Sequence, residues 1–245
     1  MKRSLLLVLI GIFSAAFCVS AFLLISYWRE SAQQADFYEE IAAQIDSSDD
    51  TADPNARHPD YSALAAQNPD MIGWIRIEGS RIDYPVMQTP SEPDYYLHHA
   101  FDRSYSVYGC PYVQANCNIG TSDNVVIYGH HMKDGSMFAG LCRYADESFY
   151  LEHRIIQFDT LDDARDFEVI AAFKTTANVG QGFPFWQFTD AADAAAFDEY
   201  VTSCKAISLY DTGVSAIYGD RLITLSTCEY SRANGRMVIV AKQIV

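Results

Sequence analysis

The chain has 245 residues, of which 49% are hydrophobic and 13% aromatic, a composition typical of a packed globular body. Its 17 lysines and arginines against 32 aspartates and glutamates give a formal net charge of -15. A chain this acidic lacks the basic footprint that phosphate binding needs, so we expect no nucleic-acid partner.

The N-terminus is apolar. Lys2 and Arg3 precede an uncharged run over residues 4–28, which is long enough to cross a bilayer as a helix. Tyr27 and Trp28 lie at its far end, where aromatic rings favour the membrane interface. The basic pair favours a cytoplasmic N-terminus and places everything after residue 28 outside. A cleaved signal peptide is the alternative, but the apolar run continues past the candidate cleavage sites and favours an uncleaved anchor.

The chain then becomes polar and acidic. Residues 29–45 predict a helix that leaves the membrane, and residues 46–60 are acidic with two prolines, which is typical of a linker. We therefore predict three regions: residues 1–28 as cytoplasmic N-terminus and transmembrane anchor, residues 29–60 as extracellular helix and linker, and residues 61–245 as a folded domain.

The folded domain is predicted to be mainly β, because short apolar runs alternate with Gly, Asn and Asp turns. The predicted strands cover residues 74–77, 82–86, 112–114, 124–128, 155–159, 167–174, 222–227 and 237–240. One helix is predicted over residues 190–206, capped by Thr189. The helical spacing of Phe197, Tyr200, Val201 and Cys204 indicates its buried face.

Residues 221–242 read as two strands joined by a short polar loop. Cys228 lies where the first strand ends, on the face it shares with Ser226 and Thr224, and Arg236 lies where the second begins. If the two strands are neighbours, roughly 5 Å apart, Arg236 can reach a group bonded to the Cys228 sulfur. That arrangement suits a nucleophile beside an anion-stabilising donor. The alternative is a small, buried and inert cysteine.

A second segment, residues 124–138, predicts a strand that ends in Gly129 and presents His130 and His131 at its C-terminal end. A histidine at such an edge can enter a cleft and act as general acid or base. A solvated surface pair is the alternative.

The six cysteines show no C-x2-C spacing, which argues against a metal cluster. Cys110 and Cys117 flank a short segment and could form a disulfide in an exported domain, or stay as buried thiols. The acidic residues Asp162, Asp163 and Asp166 lack the pattern of a calcium loop and are interpreted as solvated charge. We expect neither metal nor cofactor.

Together these segments resemble class B sortases, which are membrane-anchored cysteine transpeptidases of the bacterial cell wall. The resemblance covers residues 68–245 and rests on IGWIRI, IDYPVMQ, VIYGHHMKDGSMF and SLYDTG…YGDRLITLSTCEY…GRMVIVAK. It implies a closed sortase-type β-barrel with an N-terminal helical segment and a helix inserted before the Cys-bearing strand.

The resemblance also implies roles for individual residues. Cys228 falls on the family's nucleophile, His130 on its catalytic histidine and Arg236 on its essential arginine. The implied substrate-groove residues are Ser226, Thr227 and Glu229. His131 falls on a position that varies in the family. Arg232, in the same loop, is the rival of Arg236, but only Arg236 directly precedes the final strand.

The implied reaction begins with attack of the Cys228 thiolate on the carbonyl of a threonine-containing sorting signal of a secreted protein. An amine of a peptidoglycan precursor, or a pilin lysine, then resolves the thioester. The implied location is the cell membrane, with a single span and the catalytic domain outside. Two alternatives remain open: a cysteine hydrolase with the same site, and a tethered binding domain in which Cys228 is inert.

Overall fold

The computed structural model describes residues 2–49, 59–178 and 180–244. The chain divides into two compact units, Met1–Ile41 and Ala42–Val245. The first helix, α1 (Lys2–Asp49), runs without a break through both predicted N-terminal helices. Its segment Leu7–Ile45 is long and apolar enough to cross a membrane, judged by length and composition. The predicted linker falls largely on residues 50–58, which lie outside the described residues.

The second unit contains a closed barrel of eight strands, formed entirely from described residues, with the order β1-β2-β3-β4-β7-β8-β6-β5. This confirms the expected closed β-barrel. The strands are β1 (Met71–Arg76), β2 (Asp83–Met87), β3 (Tyr112–Val113), β4 (Asn124–Tyr128), β5 (Ile155–Thr160), β6 (Asp166–Thr176), β7 (Leu222–Glu229) and β8 (Gly235–Gln243). Pairing of β1 with β5 closes the barrel. Its interior is apolar, with Ile127, Leu225 and Ile239 fully buried.

Three shorter α-helices accompany the barrel: α2 (Ser62–Gln67), α3 (Glu147–Glu152) and α4 (Ala194–Ala206). Three 3-10 turns complete the described helical segments, at Tyr95–Leu97, Phe138–Ala145 and Phe185–Gln187. Helix α4 is the insertion expected before the Cys-bearing strand.

The predicted start of α4 is wrong. The helix begins at Ala194, and its cap is Asp193, whose carboxylate accepts a hydrogen bond from the Ala196 amide at 2.9 Å. Thr189 is buried, and its carbonyl accepts the Asn124 amide at the start of β4, so the chain is bound to the sheet there before it can turn into a helix. The predicted apolar stripe from Phe197 to Cys204 is confirmed as buried.

The sheet positions the candidate site through three neighbouring strands. Strands β4 and β7 are parallel, whereas β7 and β8 are antiparallel. Behind the site, Tyr200 of α4 approaches the Thr224 hydroxyl at 3.2 Å, and Thr224 donates to Asn124 at 2.8 Å. Helix α4 therefore covers the outer face of β7 near its start, and the face becomes accessible towards Cys228.

Candidate active site

Cys228 is the next-to-last residue of β7 and is half-buried. Its partner across the hairpin is Arg236. The carbonyl of Ser226 accepts the Gly129 amide of the β4 side at 3.2 Å. Because backbone groups alternate in direction along a strand, the amide and carbonyl of Cys228 also face β4 rather than β8. Cys228 and Arg236 thus form a non-hydrogen-bonded pair, the kind in which side chains approach most closely.

The guanidinium of Arg236 is anchored to the turn that precedes it. Its Nη1 donates to the carbonyls of Gly235 at 2.9 Å and Asn234 at 3.3 Å. A guanidinium has five N–H groups, so this anchor uses Nη1 and leaves the Nε and Nη2 groups available to a ligand. Arg232 is exposed in the same turn and has no strand partner in this ladder.

His130 lies just after the end of β4, the strand that pairs in parallel with β7. Tyr128 pairs with Ser226, and His130 comes two residues after Tyr128 just as Cys228 comes two residues after Ser226. The ring Nε2 lies 2.7 Å from the carbonyl oxygen of Leu97. A carbonyl can only accept, so Nε2 carries the hydrogen and Nδ1 is the nitrogen left for proton exchange.

Gly129 makes this exit from the strand possible. A Cβ at position 129 would lie 2.5 Å from the ring of Phe138, which is fully buried. Only glycine allows that ring to pack against the backbone where the chain turns towards His130.

From the sequence, no role was assigned to His131, but the structure places its side chain against Cys228. Its Nδ1 lies 2.8 Å from the carbonyl oxygen of Cys228 and 3.4 Å from the sulfur of Cys142. The ring of Tyr230 lies 5.0 Å away, and the Tyr230 hydroxyl donates to the His131 carbonyl at 3.3 Å. The doubled histidine at a strand end was the only sequence signal for this contact.

The three residues expected to line a substrate groove differ in their surroundings. Ser226 shares the face of Cys228; its hydroxyl is buried and has no hydrogen-bond partner among the described residues. Thr227 points to the opposite face, and its hydroxyl donates to the Gly129 carbonyl at 2.8 Å. Glu229 accepts hydrogen bonds from Lys174 at 3.1 Å and from the Ser231 hydroxyl at 2.6 Å. These bonds tie the end of β7 to its neighbours.

The electrostatics of Glu229 fit that structural role. Burial alone would raise the pKa of the carboxyl, but the hydrogen bonds from Ser231 and Lys174 outweigh it and hold the pKa below its ordinary value. Glu229 is therefore a carboxylate at neutral pH, bound to a cation.

Two tyrosines that the sequence did not indicate lie near Arg236. The rings of Tyr112 and Tyr128 are 5.6 Å apart, and the Tyr128 hydroxyl donates to Gln114. Burial is the main cause that raises the pKa of each phenol, and the charge of Arg236 opposes it in both. Both hydroxyls stay protonated at neutral pH and are available as neutral hydrogen-bonding groups.

Cys110 and Cys117 are separate buried thiols, which decides between the two alternatives left open by the sequence. Cys110 donates to the Pro85 carbonyl at 3.5 Å and Cys117 to the Asn124 carbonyl at 3.6 Å. Burial raises the pKa of Cys117 to about 11. Cys117 is therefore a protonated thiol at neutral pH.

Within the described ranges, no group of three or more His, Cys, Asp or Glu side chains is arranged to hold a metal ion. Of the acidic residues considered for calcium, Asp163 forms an ion pair with Arg165 at 3.1 Å. Asp162 is exposed.

Comparison with known proteins identifies the family. A family model of the sortase domain matches residues 75–244. The chain belongs to the sortase family. Sortase B of Listeria monocytogenes is 35% identical over 184 residues, which cover 74% of this chain and 72% of the relative. Sortase B of Staphylococcus aureus is 30% identical over 247 residues, which cover 100% of this chain and 98% of the relative.

The fold comparison agrees with the sequence comparison. A Staphylococcus aureus sortase B–substrate complex superposes with a TM-score of 0.78 at 30% identity, covering 88% of this chain and 98% of that one. The resemblance to class B sortases is confirmed, and with it membership in a family of cysteine transpeptidases that anchor proteins to the cell wall.

Proposed function

We propose that this sortase is a membrane-anchored cysteine transpeptidase acting on secreted proteins outside the cell. Residues 1–28 hold it in the membrane, residues 29–60 act as a stalk, and residues 61–245 form the catalytic domain. The uncharged apolar run in α1 and the basic residues before it support a single span with the catalytic domain outside.

One observation carries the chemistry. Cys228 pairs with Arg236 between β7 and β8, and His130 follows the end of β4, whose last paired residue, Tyr128, lies opposite Ser226. A nucleophilic sulfur, a cationic donor and an acid–base group at one strand edge are the parts that acyl transfer requires.

In the first half-reaction the Cys228 thiolate attacks the threonine carbonyl carbon of a sorting signal. The carbonyl oxygen becomes an oxyanion, which accepts hydrogen bonds from Arg236. As the carbon–nitrogen bond breaks, His130 gives its proton to the departing amine. The product is a thioester between the threonine carbonyl and the Cys228 sulfur.

In the second half-reaction an amine attacks the thioester carbonyl. His130 takes a proton from that amine, a new amide forms, and Cys228 leaves as thiolate. The acceptor is an amine of a peptidoglycan precursor or the lysine of a pilin. Neither half-reaction changes an oxidation state, so the reaction needs no redox cofactor.

Ser226 lies two residues before Cys228 on the same face and is buried, so we assign it to the floor of the substrate groove beneath the exposed surface. Thr227 and Glu229 act less directly in this scheme. Their side chains hydrogen-bond to Gly129 and Lys174, and thereby hold the end of β7 in place.

The test uses the full chain in detergent and a panel of sorting peptides of the N-P-x-T-x type, with and without an amine acceptor. Mass spectrometry is expected to show a thioester on the wild-type enzyme and, with the amine present, a new amide. Cys228→Ala is expected to form neither and to keep the wild-type circular dichroism spectrum.

The other outcomes identify the rival functions. Peptide hydrolysis at the same rate whether or not an amine is present would make the protein a cysteine hydrolase. No adduct with any peptide, together with a Cys228 that resists a charged alkylating reagent at neutral pH, would make it a tethered binding domain.

A further inference from the structure

The hydrogen-bond ladder between β4 and β7 stops one step short of the nucleophile. Its final backbone bond in this pairing runs from the Gly129 amide to the Ser226 carbonyl at 3.2 Å. In a continuous parallel ladder the next bond would run from the amide of residue 131 to the carbonyl of Cys228. The chain instead turns back on itself, with the Phe138 amide bound to the His130 carbonyl at 2.8 Å.

The turn that exposes His130 thus removes the expected backbone partner of the Cys228 carbonyl. A carbonyl at a strand end needs another donor or water. The His131 imidazole supplies one, because its Nδ1 lies 2.8 Å from that oxygen. The oxygen can only accept, so Nδ1 carries the hydrogen.

The surroundings of His131 hold the ring in this position. The Cys142 sulfur lies 3.4 Å from the same nitrogen and 3.8 Å from the Cys228 carbonyl oxygen. The Tyr230 ring packs 5.0 Å from the imidazole, and its hydroxyl binds the His131 carbonyl. Burial raises the pKa of the Cys142 thiol to about 11, so Cys142 is a neutral neighbour at physiological pH.

We propose that His131 is a positioning residue for the nucleophile: its side chain replaces the missing ladder bond and fixes the peptide that follows Cys228. A fixed peptide keeps the sulfur facing Arg236 and His130. The proposal rests on the proposed function for its effect on turnover, but its effect on the thiol can be measured without any substrate.

The variants separate the hydrogen bond from the bulk of the ring. His131→Asn keeps an N–H donor close to where Nδ1 lies, and His131→Gln carries its amide one bond further out. His131→Leu keeps much of the volume and has no donor. His99→Leu is the matched control, because the His99 Nδ1 makes a similar bond, 2.7 Å, to the Tyr95 carbonyl away from β7.

Three quantities are measured on the full chain: kcat and KM with a sorting peptide, the rate of Cys228 alkylation by a charged reagent across pH, and the urea midpoint of unfolding. His131→Leu is expected to lower kcat about tenfold, the effect of one lost hydrogen bond, with little change in KM. Its alkylation profile is expected to shift away from that of wild type, because the sulfur is no longer held in its position beside Arg236. His131→Asn is expected to restore both values, His131→Gln neither, and His99→Leu is expected to match wild type.

Wild-type kcat and an unchanged alkylation profile in His131→Leu would overturn the proposal. Equal loss in His131→Asn and His131→Gln, at unchanged urea midpoints, would also overturn it, since the position of the donor would then not matter. If His131→Leu fails to fold, the proposal is tested by comparing kcat and the alkylation profile of His131→Asn with those of His131→Gln. If wild type transfers no peptide but the alkylation profile shifts as expected, the proposed function fails and the positioning role stands.

Discussion

Replacing Arg236 by alanine is expected to lower kcat by about 100-fold to 1,000-fold, or about 3 kcal/mol, the usual effect of losing an oxyanion donor. The hairpin register supports this magnitude. Cys228 and Arg236 are direct partners, and the backbone of Cys228 faces β4. In such a non-hydrogen-bonded pair the Cα atoms are about 4.5 Å apart. The Arg236 guanidinium can therefore reach the carbonyl oxygen of a substrate whose carbonyl carbon is bonded to the Cys228 sulfur.

The anchor of Arg236 adds to the effect. Because Nη1 is bound to the carbonyls of Gly235 and Asn234, the head group is oriented before substrate arrives. Arg236→Lys keeps the charge but loses the planar donor fork, so we expect an activity between those of wild type and the alanine variant.

The assay is steady-state cleavage of a fluorogenic sorting peptide, with kcat and KM measured separately. The loss is expected in kcat, because the donor acts on charge that exists only in the transition state. Arg232→Ala is the matched control: it removes the same charge from the same turn, and wild-type kcat is expected. A kcat for Arg236→Ala within about threefold of wild type, or an equal loss in Arg232→Ala, would refute the reasoning.

Four further predictions concern the fold. Phe197→Ala in α4 is expected to cost about 3–5 kcal/mol of unfolding free energy, and Asp193→Ala about 1 kcal/mol, both measured by urea denaturation. Burial raises the pKa of the Cys204 thiol from 9.0 to about 12. As pH rises, the unfolded chain therefore loses this proton before the folded chain does, and the free energy of unfolding is expected to fall between about pH 9 and about pH 12. A urea midpoint that stays constant over that range would contradict this prediction. Gly109→Ala is expected to destabilise more than Gly213→Ala. Both glycines have positive φ, but only at position 109 would a Cβ meet backbone, 2.5 Å from a carbonyl oxygen; equal losses would contradict this.

Strand positions were largely predictable from apolar runs and turn residues, but strand ends were not. The run 124–128 coincides with β4, whereas β7 and β8 extend past their apolar cores to include Cys228 and Arg236 themselves. Pairing of backbone groups continues as long as two strands stay adjacent, and it does not depend on apolar side chains. Hydrophobic patterns therefore miss polar strand ends, where the candidate site lies.

The candidate site was predictable to different degrees for different residues. The pairing of Cys228 with Arg236 follows from one hairpin and its loop length. A shared site for His130 and Cys228 depends on the parallel pairing of two distant strands, which the sequence indicated only through the family resemblance. The carbonyl contacts of His130 with Leu97 and of His131 with Cys228 could not be predicted, because a backbone acceptor has no residue type to mark it.

The topology explains why these groups meet at a strand edge. Parallel neighbours end at the same edge of a sheet, so His130 follows the end of β4 at the edge where β7 carries Cys228, and the antiparallel β8 starts at that edge with Arg236. Cys228 and Arg236 are held by paired strands, whereas the His130 ring is held by its bond to the Leu97 carbonyl. The arrangement has one weak point, because β4 must leave the ladder to present its histidine. Thr227 and His131 form side-chain bonds to the carbonyls of Gly129 and Cys228 at the place where the backbone ladder has ended.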